Sequence, residues 1–415
     1  MYLDSRWHGR AENGARWLVV ACAFVVSLPA AWISLSTVLF LAAWLLSGRY
    51  AERWLVMRRH PLAWISLLLL GWMALAITWS PAGLRPAVEG WWKYRELLLL
   101  PLMLSVIAKD DETARIWQQR VLHAFLAGFA ICLAVSYLRR AGLLPPLQAT
   151  GQYAGFGGHV GFSVMLAFVA YVCWQRASHP GSLRLGWALF GLACVLNLFL
   201  INTGRTGQAG FLALVPLALH RWIGWRGILA SLLAVPLLAA SVYFASPVVH
   251  QRVDQSVADV VGFRAGNTES NDGLRMDFWV HSLGFIRESP LFGTGTGGYI
   301  VKYRQAAEQE GLPASRVNDN PHNEYLLIAS QQGLIGLALL LALWGAQWSG
   351  AAGLAVAERD TTRALLLLMV TGDCFNSFLL DNLEGHFYLL LTVALCARWP
   401  LRLNRAGAAS SSGSV

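Results

Sequence analysis

Charge is what this sequence has least of. Asp, Glu, Lys and Arg make up 13% of its 415 residues, against about 25% in an ordinary soluble domain, which sets the chain apart from soluble globular enzymes. Cysteine is scarce too. Cys22, Cys132, Cys173, Cys194, Cys374 and Cys396 all sit in apolar runs, with no Cys-x-x-Cys pair and no histidine at ligand spacing. That excludes a disulfide scaffold and a zinc module and leaves the six as small hydrophobes. Disorder and collagen are excluded by the opposite excess, since 56% of the residues are hydrophobic.

What is abundant is long apolar runs and tryptophan, 19 in all. A bilayer is crossed by about 17–25 apolar residues in a helix. The runs predict an all-α polytopic membrane protein with about twelve spans, at 17–31, 33–47, 62–79, 95–108, 121–138, 159–175, 183–202, 206–220, 226–244, 324–346, 362–380 and 383–398. The fourth is short and reads as tilted, interfacial or partly re-entrant. Pro29, Ser80-Pro81, Pro145-Pro146 and Ser246-Pro247 mark breaks between runs.

Basic residues resist translocation, so the side that collects them is cytoplasmic. With the N-terminus inside, the inner segments hold 19 Lys and Arg and the short outer loops six. Both ends are therefore expected in the cytoplasm, which divides the chain into spans one to nine (1–244), an outer loop domain (245–323), spans ten to twelve (324–399) and a cytoplasmic tail (400–415), which from Arg405 on is rich in Ala, Ser and Gly and expected to be disordered. The loop carries seven basic and nine acidic residues. The overall net charge of +9 is thus a topology signal, and no nucleic-acid partner is needed to explain it.

Inside the loop, Asn271 and Asp272 are good helix caps, and Leu274, Phe278, Trp279, Leu283 and Ile286 follow at helical spacing, predicting a helix over 272–288. A glycine-rich turn, Gly293-Thr-Gly-Thr-Gly-Gly298, precedes a second, polar helix over 299–309. No βαβ context surrounds the glycines, so they read as a tight turn between helices, not as a dinucleotide fingerprint. His322-Asn323 lies just outside the tenth run, where an imidazole can take a proton near neutral pH or simply cap and pack. Gly333-x-x-Gly336 follows, a pattern also used for close packing of membrane helices. Arg205 sits in a polar interruption, Asn202-Thr-Gly-Arg-Thr-Gly207, between two apolar runs. An ionisable group there is a functional hypothesis, with a snorkelling interface arginine as the alternative. Arg275 is either a second functional cation or a solvated surface charge.

These pieces together resemble the superfamily of O-antigen ligases and polymerases, bacterial inner-membrane glycosyltransferases. The matching features are the turn carrying Arg205, Arg275 with Trp279 four residues on, Pro290-Leu-Phe-Gly-Thr-Gly295, and His322-Asn323 with Gly333-x-x-Gly336 after nine intervening residues, in a layout that covers nearly the whole chain. The resemblance implies a GT-C-like fold and transfer of a glycan from an undecaprenyl diphosphate carrier at the periplasmic face of the inner membrane. In size the chain is similar to the ligases, which attach O-antigen to lipid A-core in lipopolysaccharide biosynthesis. Polymerases share the layout, whereas protein O-oligosaccharyltransferases tend to carry a longer C-terminal soluble region.

On that reading the partners are undecaprenyl diphosphate-linked O-antigen, lipid A-core and membrane lipid, while the sequence is silent on oligomeric state. No cofactor and no metal is expected, because no Asp-x-Asp occurs and Asp110-Asp111 falls on the cytoplasmic side. Arg205 and Arg275 would bind the diphosphate, and His322 would be the general base for a one-step, inverting transfer. Supporting candidates are Asn323 and Trp279, from the motif; Asp373 and Asp381, which either orient His322, bind sugar or pair elsewhere; and Arg139 and Arg140, which contact anionic core phosphates or anchor at the interface. A rival of another class is a lipid-linked oligosaccharide flippase, which calls for cations spread along a cavity through the bilayer, whereas Arg205, Arg275 and His322 collect at one face.

Overall fold

The computed structural model describes residues 2–147, 153–266 and 268–399, with side chains from residue 7 onward. Helices α1 (Tyr2–Val25) and α2 (Ala30–Leu46) form a hairpin, and α3 (Tyr50–Arg59) bends away from α2 by 116°. Then come α4 (Pro61–Leu75), α5 (Leu84–Trp92), α6 (Glu96–Ile107), α7 (Asp111–Arg140), α8 (His159–Ala177), α9 (Arg184–Leu200), α10 (Arg205–Ile223) and α11 (Trp225–Ala245). The long loop folds into α12 (Pro247–Arg264), α13 (Asn271–Glu288) and α14 (Gly298–Gln309). Helices α15 (Glu324–Ala351), α16 (Val356–Gly372) and α17 (Asn382–Cys396) close the bundle. The molecule is all-helical among the described residues, and the 400–415 tail lies outside them.

Every one of the twelve apolar runs falls on a helix, but by length and composition five helices can cross a membrane, or six if the bent α2–α3 pair counts as one span. Helix α6, at 12 residues, spans about 18 Å at 1.5 Å per residue, well short of a hydrocarbon core of about 30 Å. The long apolar helices make this a multi-pass membrane protein. Their burial varies with position: 78% of the apolar window of α8 is buried among its neighbours, against 6% for α11, whose side chains face outward. An apolar helix with an exposed surface is stable in lipid and a liability in water.

The sequence expectation departs from the structure at three places. The eleventh run was expected to stay in one span over 362–380, yet α16 stops at Gly372 and residues 373–381 turn back, so Asp373 is a C-cap and not a mid-span residue. The cause is visible in the turn's hydrogen bonds: the carbonyls of Asp373 and Asn376 accept the Glu324 N–H at 2.9 and 3.1 Å, satisfying a donor at the start of α15. Helix α12 was not expected, because its mixed polar sequence has little periodicity; Ser246 starts it by accepting the Val249 N–H, with Pro247 in the first turn. Ser270, not Asn271 or Asp272, caps α13. That releases the Asp272 carboxylate for the pairing described below.

The loop helices have a small core of their own, with Phe278, Phe285, Tyr299, Tyr303 and Ala307 packed on Leu327 of α15. Tyr303 donates to Asp277 at 2.7 Å, so the hydroxyl enters this core with its bond made.

The glycine-rich turn explains the rest of the motif. Helix α15 breaks at Gly333 (φ 66°, ψ −171°), and the segment 290–295 lies along the break: Leu334 N–H donates to Pro290 O (2.7 Å), Thr294 N–H to Ser330 O (2.8 Å) and Gly295 N–H to Gln331 O (2.9 Å). A Cβ on Gly333 would stand 2.1 Å from Leu291 O. Gly333 therefore accommodates a docked loop, where helix-on-helix packing was the other reading. The same loop reaches α4, through Thr296 Oγ1 donating to Met73 O at 2.6 Å.

Candidate functional site

Arg205 is the first residue of α10. Its placement depends on small neighbours. The Gly207 N–H donates to Ser163 Oγ of α8 at 3.1 Å, and a Cβ on Gly207 would come within 2.2 Å of the Ser163 backbone. Only glycine lets α10 start this close to α8. Asn202 Oδ1 accepts the Gly204 N–H (2.6 Å), and Asn376 Nδ2 donates to Thr206 Oγ1 (2.8 Å), tying this turn to the one after α16.

The guanidinium of Arg205 forms a two-pronged pair with Asp272 of α13 (2.5 and 2.8 Å) and a further bond to Ser256 of α12. Burial pushes the Asp272 carboxyl up, but hydrogen bonds from Arg205 and Ser256 outweigh it and hold the carboxyl below its ordinary range. Arg275, nearly one turn along α13, has no carboxylate in contact among the described residues. Burial and the neighbouring charge of Arg205 both lower its pKa. It is a partly desolvated cation without a counter-ion at contact distance, an arrangement that favours an incoming anion.

Four residues beyond Arg275, Trp279 Nε1 donates to Pro321 O at 3.0 Å. One helix thus presents a cation and pins the segment holding His322. That segment is heavily cross-braced: Asn320 Oδ1 accepts both the His322 N–H and the Ser377 hydroxyl, each at 2.8 Å, and Asn323 caps α15 through Leu326 N–H (3.0 Å) while its Nδ2 donates to Cys374 O (3.0 Å). His322 itself adopts φ 54°, a left-handed conformation in which histidine is enriched among non-glycine residues. Its ring lies 6.4 Å from Phe278, centroid to centroid. Burial lowers its pKa, Arg275 lowers it further, and Asp319 pulls the other way, a balance that favours the uncharged imidazole.

Arg205, Arg275, Trp279 and His322 all line one cavity of 1020 Å³ between the bundle end and the loop helices. Its walls also hold His159, Arg252, Ser256, Glu269, Asp272 and Arg316, none of which was singled out as a site residue in the sequence. Asp272 was visible there only as a capping residue, and Arg252 and Arg316 read as scattered surface charge because α12 and the 313–318 segment give no periodic signal.

The other candidates are placed elsewhere. Asp373 is fully buried and accepts the Phe378 N–H (3.2 Å). Asp381 is the residue just before α17, within reach of the charges of the Lys93–Asp319 ion pair (2.8 Å). Burial pushes Asp381 up to about 6, with Lys93 lowering and Asp319 raising it. Neither carboxylate bonds to His322. Arg139 donates to the carbonyls of Ala154 (2.6 Å) and Gly155, bracing the segment before α8. Arg140 lines a separate, smaller chamber. Among the described residues no three of His, Cys, Asp and Glu come together to hold a metal ion.

The described residues form a helical membrane bundle capped by a loop domain, with arginines and a histidine around one end cavity. Sequence comparison adds a partial likeness: residues 189–341, about a third of the chain, match the O-antigen ligase family model. The matched segment contains Arg205, Arg275, Trp279, His322, Asn323 and both glycines of Gly333-x-x-Gly336, and excludes Arg139, Arg140, Asp373 and Asp381. Members of the family are glycosyltransferase-like enzymes, ligases and polymerases, that use lipid-linked glycans. An uncharacterized protein of Haemophilus influenzae is 22% identical over 191 residues, 39% of this chain and 48% of that protein. The chain therefore spans about half the length of the curated relative it matches.

Proposed function

We propose that the protein is an O-antigen ligase of the bacterial inner membrane, with about twelve spans in a GT-C-like arrangement and its cavity facing the periplasm, which transfers O-antigen from undecaprenyl diphosphate to lipid A-core. The observation that carries this reading is the convergence of Arg205, Arg275 and His322 on one cavity within the family-matched segment. The diphosphate of the donor lies between the two arginines. As the glycosidic bond breaks, negative charge grows on the leaving diphosphate, and charge-assisted hydrogen bonds from the guanidinium groups strengthen with it. Each such bond is worth on the order of 1.5–3 kcal/mol.

Asp272 keeps Arg205 extended toward the cavity before donor arrives. The acceptor hydroxyl attacks the anomeric carbon from the face opposite the diphosphate, and His322 takes its proton, giving inversion in one step. General-base help of this kind contributes about 10²–10⁴-fold. Asn320, Asn323 and Trp279 hold the backbone of His322 and are positioning residues.

The test is transfer by purified protein in the presence of EDTA, with undecaprenyl diphosphate-linked glycan and lipid A-core supplied and products read by gel mobility and mass. Glycan on lipid A-core supports the ligase. Elongated carrier-linked glycan without lipid A-core product identifies a polymerase, and no turnover with donor and acceptor of proven quality refutes the enzyme reading. His322→Ala with normal folding and full transfer removes the base from the mechanism.

A further inference from the structure

Beside the main cavity lies a second chamber of 320 Å³, formed where the end of α7, the start of α8, the α9–α10 turn and the start of α12 meet. Arg140 and Arg252 stand on its walls, and His159, Thr203 and Arg252 are shared with the larger cavity. Neither arginine pairs with a carboxylate among the described residues, and residues 148–152, outside them, contain none. Two polar groups in the chamber wall are left unused. Asn202 is 3% exposed; its Oδ1 is taken by Gly204 N–H, and its Nδ2 has no hydrogen-bond partner among the described residues, nor does the buried hydroxyl of Thr203. A buried amide donor without an acceptor costs free energy until one arrives. Two cations, no carboxylate and two unpartnered polar groups together describe an anion site.

We infer that this chamber binds a phosphoryl group carried by the lipid-anchored acceptor, separately from the diphosphate clamp; the inference rests on the proposed transferase reading for the acceptor's identity. The donor does not account for both rooms. The two phosphorus atoms of a diphosphate share one bridging oxygen and are too close together to occupy two chambers divided by His159, Thr203 and Arg252. A second anion site next to a diphosphate site therefore serves a second ligand. The chain just after Arg140 suits a lipid: Leu143 and Leu144, three and four residues on, are 71% and 37% exposed. Arg139 does not line the chamber; its Nη1 donates to the carbonyls of Ala154 and Gly155.

The experiment is binding to the purified full-length protein in nanodiscs, followed by native mass spectrometry, with three probes: lipid A-core bearing its phosphates, the same lipid chemically dephosphorylated, and undecaprenyl diphosphate. Phosphorylated lipid A-core is expected to bind about tenfold more tightly than the dephosphorylated form. Arg140→Gln abolishes that preference and leaves undecaprenyl diphosphate binding unchanged, and Arg140→Lys retains most of the preference. Arg252→Gln, on the facing helix, loses it as well. If Arg140→Gln weakens undecaprenyl diphosphate instead, the chamber belongs to the donor and the inference is overturned. Equal binding of the two lipid A-core forms by the native protein, or no binding of either, overturns it too. Because binding needs no turnover, a phosphate preference that persists in a protein without transfer activity refutes the enzyme and spares the site.

Discussion

His322 holds a positive φ of 54° at a cost of order 1–3 kcal/mol, and five nearby hydrogen bonds from Asn320, Asn323, Ser377 and Trp279 keep it there. Its pKa is lowered by burial and then by Arg275. If His322 is the base, transfer falls on the acid side with a midpoint below the ordinary imidazole value of about 6.5. Arg275→Gln removes a cation that disfavours the imidazolium, so the acid limb moves to higher pH, while Asp319→Asn moves it lower. A pH–rate profile of each variant at saturating donor reads this directly, and an unmoved limb in both would dissociate His322 from the observed ionisation. Asp272→Asn tests the paired cation. Loss of the carboxylate frees Arg205, and donor KM is expected to rise about tenfold through misplacement, the scale of one charge-assisted bond; a lower KM would mean that Asp272 competes with the diphosphate.

At the scale of elements, α13 and α15 organise the site. Trp279→Phe keeps the ring packing but deletes the indole N–H to Pro321 O; about 0.5–1.5 kcal/mol of stability is expected to go, with kcat falling more than KM rises because the base and not the donor is displaced. Gly333→Ala is far harsher. It places a Cβ 2.1 Å from Leu291 O at a backbone conformation reserved for glycine, so a lower apparent Tm and poor membrane yield are expected, and wild-type thermal stability would refute the docked-loop account. These elements were unevenly legible. Helix α13 followed from periodicity and α14 from the turn signals around it, while the pairing of Arg275 with Trp279 entered through the family resemblance. The break at Gly333 was not legible, because nothing local distinguishes a glycine that packs on a helix from one that receives a loop; the partner at 290–295 is some forty residues away. The turn after α16 was missed for the same reason, since its carbonyls accept from the distant Glu324 N–H, whereas α12 was missed because its mixed polar sequence carries little periodicity.

For the whole molecule, the apolar runs located twelve helical segments because lipid exposure and burial both select for apolar side chains. Counting spans failed to carry over as directly, since α6, α9 and others are too short or too broken to qualify by length alone. The basic-residue bias predicts sidedness. A cysteine at Glu308 is expected to react with an impermeant maleimide in intact cells, and one at Arg10 only after permeabilisation, with the half-exposed Cys374 replaced by Ser beforehand; the reverse pattern would invert the topology. Of the cavity lining, Arg205, Arg275 and His322 were legible because ionisable groups stand out against so apolar a background. The cross-bracing by Asn320, Asn376 and Ser377 was not, because neutral amides and hydroxyls look alike whether they cap, turn or brace.

The broken helix α15 also bears on biogenesis. At Gly333 the helix gives up part of its own hydrogen-bond ladder, and unpaired backbone groups are costly in lipid. The groups that complete it belong to residues 290–295, which leave the ribosome before residues 330–334 do. The nascent helix thus meets a partner already made, whereas a circular permutant that began at α15 would have to insert with the gap open.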